Sequence, residues 1–440
     1  MIKSIMINNY ICYLNKLTKF LWIISIIILF LLLLIVPTKY DKIVFILILF
    51  CLFFSLINIL ITGNLNLHKE IILWLFFLIS IGSFFTTYGI FRNNIGALSN
   101  GKVYILYPLI YCIILSRFNS LKLIKLLHKI LLISDFIICF YIISFILNYI
   151  KILPDKFFIN LNLGQSIGIY KYYMEFNLYS LSSLIFLIPY NFALLIQDKN
   201  EIIGIKKIII YVLFTFSVSL SFLSGRRILI FLIFITPILL VIFFNYFPTE
   251  EKNILLSKLK KIVIYFLLVV FFALFLLIIF NFNIKIFIEN LFNAFNPKKD
   301  ISANLRYTQF YALINDWLKR PILGYGFGAT LKYLVRSETM PWAFELTYIS
   351  LLHQTGIVGL ILYLISIGWI YYRAIIIFKS NSIYSYHLLP ILVGTTSFLI
   401  ANSTNPYLAK FSYLWVIFLP IILINLSLLE EKNERNFSDN

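Results

Sequence analysis

The sequence predicts an all-α, polytopic integral membrane protein of about twelve transmembrane helices, with a long outer loop that holds an amphipathic helix. Three observations carry this expectation: 61% of the 440 residues are hydrophobic, only 12% are charged, and the apolar residues arrive in long uninterrupted runs. Soluble domains average about 45–50% apolar and about 25% charged residues. A string of separately folded water-soluble modules is therefore excluded.

A helix needs about 20 mostly apolar residues to cross the hydrocarbon layer. Such runs lie at roughly 20–36, 43–62, 71–91, 103–116, 130–150, 176–196, 208–223, 228–247, 262–281, 345–377, 386–403 and 413–428. The fourth is short and extends toward Ala97. The tenth is long enough for a short helix, a break near Gly356 and then a true span. Lys3, Lys16 and Lys19 precede the first run as in a signal peptide, but no small-residue cleavage pattern follows Ile35-Val36-Pro37, so it reads as an uncleaved span. The expected division is nine spans in 1–281, the long outer loop at 282–344, and three spans with a short cytoplasmic tail in 345–440.

The net charge of +19 comes from 37 Lys and Arg against 18 Asp and Glu. The basic residues are scattered between apolar runs, without the stripe that nucleic-acid binding requires, so orientation in the membrane is the first explanation. With both termini in the cytoplasm, the inner segments carry 19 Lys and Arg and the outer ones 18, eight of which fall in the 282–344 loop. The positive-inside rule counts short loops only, and outside the long loop the outer side keeps just 10. Cys12, Cys51, Cys112 and Cys139 lie in or beside apolar segments with no CxxC pair, and are read as small packing residues without disulfide or metal. No His, Cys, Asp and Glu grouping has metal-ligand spacing.

Several constellations stand out against this background. Ser224-Gly225-Arg226-Arg227 is squeezed between two apolar runs, where two outward arginines oppose the positive-inside trend and the dipole of the following helix. A helix N-terminus with two guanidinium groups suits an anion, above all a diphosphate; the alternative is an ordinary cytoplasmic turn. In the long loop, Phe310, Leu313, Ile314, Trp317 and Leu318 recur with helical spacing up to Pro321, with Arg306 on the edge of the stripe. The stripe would lie on the membrane and Arg306 would reach lipid phosphates or remain a plain flanking charge. Gly324-Tyr-Gly326-Phe-Gly328 has neither the strand before it nor the helix after it that a dinucleotide site needs, and reads as a tight turn back toward the membrane.

Glu345 stands at the mouth of the tenth span, followed by Tyr348, His353, Gln354 and Gly356. An acid there is costly unless it faces a polar cavity, and burial would suit it to act as a general base; a first-turn acid favoured by the helix dipole is the other reading. His353 is either its partner or a buried hydrogen-bonded histidine. Asp135 inside the fifth span is a second intramembrane acid. Glu175 beside Tyr170, Lys171, Tyr172 and Tyr173 has sugar-binding character, although tyrosines at a membrane boundary also serve as belt anchors.

Taken in order, Arg226 before the eighth span, Arg306 in the outer loop, Pro321-x-x-Gly324-x-Gly326-x-Gly328, and the re-entrant segment from Glu345 through Tyr348 and Gly356 to Gly359 resemble the O-antigen polymerase and O-antigen ligase superfamily. The resemblance in specific residues runs from about Ser224 to Gly359. It implies that Arg226, with Arg227 beside it, and Arg306 engage the diphosphate of an undecaprenyl-diphosphate-linked glycan at the periplasmic face of a bacterial inner membrane. Ligases of the family usually have a His-Asn pair eleven residues before the glycine that corresponds to Gly356. This chain has Glu345-Leu346 there, which favours the polymerase branch.

The resemblance thus implies a metal-independent membrane glycosyltransferase, without cofactor, that joins lipid-linked repeat units into an O antigen or capsule. Glu345, Arg306 and Arg226 would be catalytic, and Arg227, Tyr348, His353 and Glu175 would bind substrate. The lipid-linked glycan would be both donor and acceptor, with membrane lipid and a chain-length regulator protein as further partners and no nucleic acid. Two rivals remain open at this point: a ligase that passes the same glycan to lipid A-core, and a lipid-linked oligosaccharide flippase.

Overall fold

The computed structural model describes residues 2–159, 161, 164–170, 173–197, 206–279, 283–293, 296–335 and 337–438. Among them, ten helices are long and apolar enough to cross a membrane. They are α1 (Ile2–Ile35), α2 (Asp41–Thr62), α3 (Lys69–Phe91), α4 (Ala97–Leu115), α5 (Leu121–Tyr149), α8 (Arg227–Phe244), α9 (Thr249–Ile279), α12 (Thr347–Ser380), α13 (Ile383–Asn402) and α14 (Phe411–Ser438). Two shorter apolar helices, α6 (Leu181–Ile196) and α7 (Lys207–Leu223), complete the bundle. The chain is a multi-pass helical membrane protein.

The layering follows from where apolar side chains are needed. α6 is hydrophobic on every side, and all of its residues are buried, packed along α13 and against α7 and α8. α14 is nearly as enclosed, whereas α2, α3 and α9 present exposed Phe, Leu and Ile, as helices do where one side meets lipid. Leu60 and Phe271 are 83% and 72% exposed, values that in water would mark an interaction surface and in a bilayer mark the boundary with acyl chains. Cys51, Cys112 and Cys139 fill the interior as small packing residues.

Most element boundaries agree with the hydropathy reading, including the extension of the fourth span to Ala97, which carries a π-helical turn at Lys102–Leu106. Several helices reach beyond their apolar runs, α1 from Ile2 and α14 to Ser438 among them. α5 begins at Leu121 rather than near 130, and α9 at Thr249 rather than near 262. Glu250 and Glu251 suit the N-terminal dipole of α9, so a charged first turn continues the helix outside the apolar stretch. The sixth run is shorter than its hydropathy suggests. Residues 173–178 form strand β2, which pairs antiparallel with β1 (Gly164–Tyr170), so the helix starts only at Leu181.

The long loop holds more structure than one helix. α10 (Ile284–Asn293) precedes α11 (Ile301–Trp317), the amphipathic helix that the periodicity predicts. After α11 the chain turns at Pro321 and docks on the break in α12, where Gly356 departs from helical geometry with φ 64° and ψ −172°. This break leaves backbone groups without helical partners on both sides, which hydrocarbon does not tolerate. Segment 321–328 supplies them. The N–H groups of Ile357 and Val358 donate to Pro321 O and Ile322 O at 2.9 and 3.2 Å, while Tyr325 and Gly326 N–H donate to His353 O and Gln354 O at 3.1 and 2.7 Å.

The glycine string is a turn, as expected from sequence, and it is closely packed. Gly326, at φ 84°, lies so close to Gly89 of α3 that a Cβ would stand 2.6 Å from its Cα. Asn94 holds the turn segment, its amide within reach of the carbonyls of Tyr325, Gly326 and Phe327 at 2.8, 3.2 and 3.1 Å.

Candidate active site

α7 ends at Leu223, and Gly225, at φ 67°, turns the chain so that Arg226 caps α8. The Arg226 N–H donates to Ser224 Oγ at 3.3 Å. Arg227 donates to Asp300 Oδ2 at 2.6 Å, and Asp300 in turn caps α11 by accepting from the Ala303 N–H at 2.7 Å. One carboxylate thus joins the start of α8 to the start of α11. Burial pushes the Asp300 carboxyl up, but the hydrogen bonds from Arg227 and Ala303 and the charges of Arg227 and Arg306 outweigh it and hold it below the usual carboxylate range.

Arg306 lies two turns into α11, and its Nε donates to Glu345 Oε2 at 3.1 Å. The Glu345 N–H is held by Gln309 Oε1, one turn further along α11, at 3.0 Å. Burial first, and then the neighbouring charge of Arg227, draw Arg306 below its ordinary range, against the pull of Asp300. Arg226 and Arg306 both act on Tyr407, in the short turn Tyr407–Ala409 between α13 and α14; burial raises its phenol, while a hydrogen bond from Arg226 and the two positive charges lower it. Residues from four distant stretches of chain thus meet at one end of the bundle. Three guanidinium groups face two carboxylates there, a local excess of positive charge that suits an anion.

The structure brings Arg226, Arg227, Arg306 and Glu345 together as the sequence anticipates, and the arginine pair lies at the same end of the bundle as the long loop. It places the other expected residues elsewhere. His353 is not a partner of Glu345. It is fully buried at the α12 break, with Nε2 donating to Asp316 Oδ2 at 3.0 Å and Tyr325 stacked on its ring at 4.9 Å. Tyr348 donates from its hydroxyl to Leu399 O of α13 at 2.7 Å, a contact that fixes α12 against α13. Glu175 stands opposite Gly168 in the hairpin, and its side chain, like Lys171 and Tyr172, lies outside the described residues.

α11 packs on the protein mainly through a face other than its apolar stripe. Leu313 is buried with Leu331 and Phe344, but Phe310 and Leu318 are 39% and 59% exposed. The inward face is Arg306, Gln309, Leu313 and Asp316, spaced three to four residues apart, because what it meets is the polar start of α12. Sequence reasoning missed Asp300, Gln309 and Tyr407, which join the cluster, and Asp316, which holds His353 at the break. Asp300 had a readable signal, an acid at the N-cap three residues before Ala303; the other three had none.

Asp316 offers a pH test. Burial pushes its carboxyl up, but hydrogen bonds from His353 and Lys319 outweigh this and hold it below the usual range. A carboxyl depressed in the fold adds stability above its unfolded value of about 4, and that contribution is lost as pH falls through the folded value. The stability difference between the wild type and Asp316→Asn, followed by thermal unfolding in detergent, is therefore constant above about pH 5 and shrinks only in stronger acid. A difference that changes between about pH 6 and 8 would assign control of this contact to His353 instead.

Set against protein-family models, curated proteins and solved structures, the chain matches none of them.

Proposed function

We propose that this protein joins undecaprenyl-diphosphate-linked oligosaccharide repeat units into a surface polysaccharide, at the outer face of a bacterial inner membrane. The observation that carries the reading is the cluster in which Arg306 meets Glu345, Arg227 meets Asp300 at the start of the same helix, and Arg226 and Arg306 both act on Tyr407. In this reading α6 and α7 also cross the membrane, giving twelve spans. The N- and C-termini are then cytoplasmic and the arginines periplasmic.

The chemistry follows from the charges. Arg226 and Arg306 grip the diphosphate of one lipid-linked glycan and stabilise the negative charge that grows as it leaves. A sugar hydroxyl of the second lipid-linked unit attacks the anomeric carbon. The new glycosidic bond forms as the bond to the diphosphate breaks, the electron pair leaves with undecaprenyl diphosphate, and the hydroxyl proton passes to Glu345. Because Arg306 is bonded to Glu345, a diphosphate arriving at Arg306 competes with that carboxylate and releases it to accept the proton.

Deleting the gene separates this reading from its rivals. Loss of a polymerase leaves surface lipid bearing a single repeat unit, whereas loss of a ligase or a flippase leaves lipid with no unit at all. Gel analysis of the surface glycolipid of the deletion strain reads the difference, and unit-free lipid would overturn the proposal.

A further inference from the structure

Asp135 lies in the middle of α5, fully buried and remote from the arginine site. Its two oxygens accept from Asn191 Nδ2 of α6 at 2.6 Å and from Ser217 Oγ of α7 at 2.9 and 3.0 Å, with the Cys139 thiol at 3.7 Å. Every one of these partners is neutral. An ionised carboxylate deep in a bundle needs a cation or a metal to offset its lost hydration, and the described residues that touch Asp135 provide neither.

A second buried group adjoins it. His128, seven residues earlier on α5 and therefore on the same face, places Nδ1 2.6 Å from the Tyr190 hydroxyl of α6 and Nε2 3.0 Å from His387 Nδ1 of α13. Tyr190 and Asn191 are consecutive on α6, so the two groups share that helix. His387 lies near the start of α13, at the end of the bundle away from Arg226 and Tyr407, with Lys125 of α5 close by. The titratable groups facing this region are thus His128, Lys125 and Cys139 from α5, Tyr190 from α6 and His387 from α13; α7 contributes only hydroxyls.

The polar atoms do not all find partners. Asn191 Oδ1, Ser134 Oγ beside Asp135, Ser219 Oγ of α7 and His387 Nε2 are buried without a hydrogen bond. Buried polar atoms left unpaired are costly, and a file of them beside an acid and two imidazoles is where a mobile proton and its bridging waters would be held.

We infer that Asp135, with Asn191 and Ser217, forms an intramembrane proton-binding site that exchanges its proton through Tyr190, His128 and His387. The step is a proton transfer only: the carboxylate gains a proton that the histidine file loses, and no other bond or electron moves. It is independent of the glycosyl-transfer reading, because it uses none of the site arginines and neither Glu345 nor the lipid diphosphate.

Infrared spectroscopy of the full-length protein in detergent tests it, with isotope-labelled aspartate to mark carboxyl bands in the unsubstituted chain and Asp135→Asn to assign one of them. The expected result is a protonated-carboxyl band at neutral pH that is absent in Asp135→Asn and shifts within minutes of transfer to heavy water. Tyr190→Phe, which keeps the ring, and separately His387→Gln should each slow that shift by about tenfold or more. A carboxylate signal for Asp135 at neutral pH would overturn the proposal. So would a protonated band that fails to exchange, or one that exchanges at the wild-type rate in both variants, since the acid would then be a fixed packing element.

Discussion

Under the proposed function, Arg306→Ala should strongly slow chain extension while leaving the protein in the membrane. Loss of one preorganised charged donor to a developing anion costs about 10²–10³-fold in rate. Polymerisation measured in vitro with lipid-linked units, and glycan length on complemented deletion cells, should both fall accordingly. Arg306→Lys should recover part of the loss at most, because an ammonium cannot present the paired donors of a guanidinium. The truncation has a second consequence, since Glu345 is only 15% exposed and Arg306 is its ion-pair partner. Removing Arg306 takes an ion-pair partner from a largely buried carboxylate. Combining Arg306→Ala with Glu345→Gln isolates the structural part: recovery of thermal stability in the double variant assigns that loss to the carboxylate, while transfer, which Glu345→Gln removes by itself, is read from Arg306→Ala and Arg306→Lys alone. A full-length glycan ladder from the Arg306→Ala strain would remove it from the site.

The second large effect concerns the α12 break. Gly356→Ala forces a residue with a Cβ into φ 64° and drives that carbon into the Ile322 carbonyl of the docked turn segment. The left-handed backbone costs about 1–2 kcal/mol and the overpacking about 1–3 kcal/mol. Together these approach the lower end of the roughly 5–15 kcal/mol that holds a typical protein folded. The expected outcome is a sharp drop in the fraction of monodisperse protein extracted in mild detergent. Gly368→Ala, in the same helix with open space around it, is the control and should be neutral or slightly stabilising. Equal behaviour of the two variants would mean that the break is not held by segment 321–328.

The break also shows how unevenly the sequence speaks. A span running from 345 to 377 is too long for one crossing, and a glycine inside it marks where it divides, so the interruption at Gly356 was legible. What fills the interruption was not. The hydrogen bonds that satisfy it come from Pro321, Ile322, Tyr325 and Gly326, more than 25 residues away, and no periodicity encodes such a pairing. α11 shows the same unevenness. Its apolar spacing gave the helix and its approximate end, and Phe310 and Leu318 face outward, where a stripe meant for the membrane belongs. The polar inward face of Gln309 and Asp316 was not legible, because it is set by the polar start of α12. Hydropathy likewise assigned residues 176–180 to a helix, although apolar character alone does not distinguish the start of a buried helix from the end of strand β2.

By itself the sequence determined that this is a multi-pass helical protein and where most of its apolar helices lie. These are one-dimensional properties: a run of apolar residues long enough for hydrocarbon forms a helix whatever lies beside it, since its backbone has no other partner there. Only the tertiary structure decided that Arg226, Arg227 and Arg306 share one site with Asp300, Tyr407 and Glu345, and that His353 belongs to Asp316 instead. Such contacts depend on how helices far apart in sequence are rotated and packed, and that choice is made by the sum of many weak interactions across the bundle.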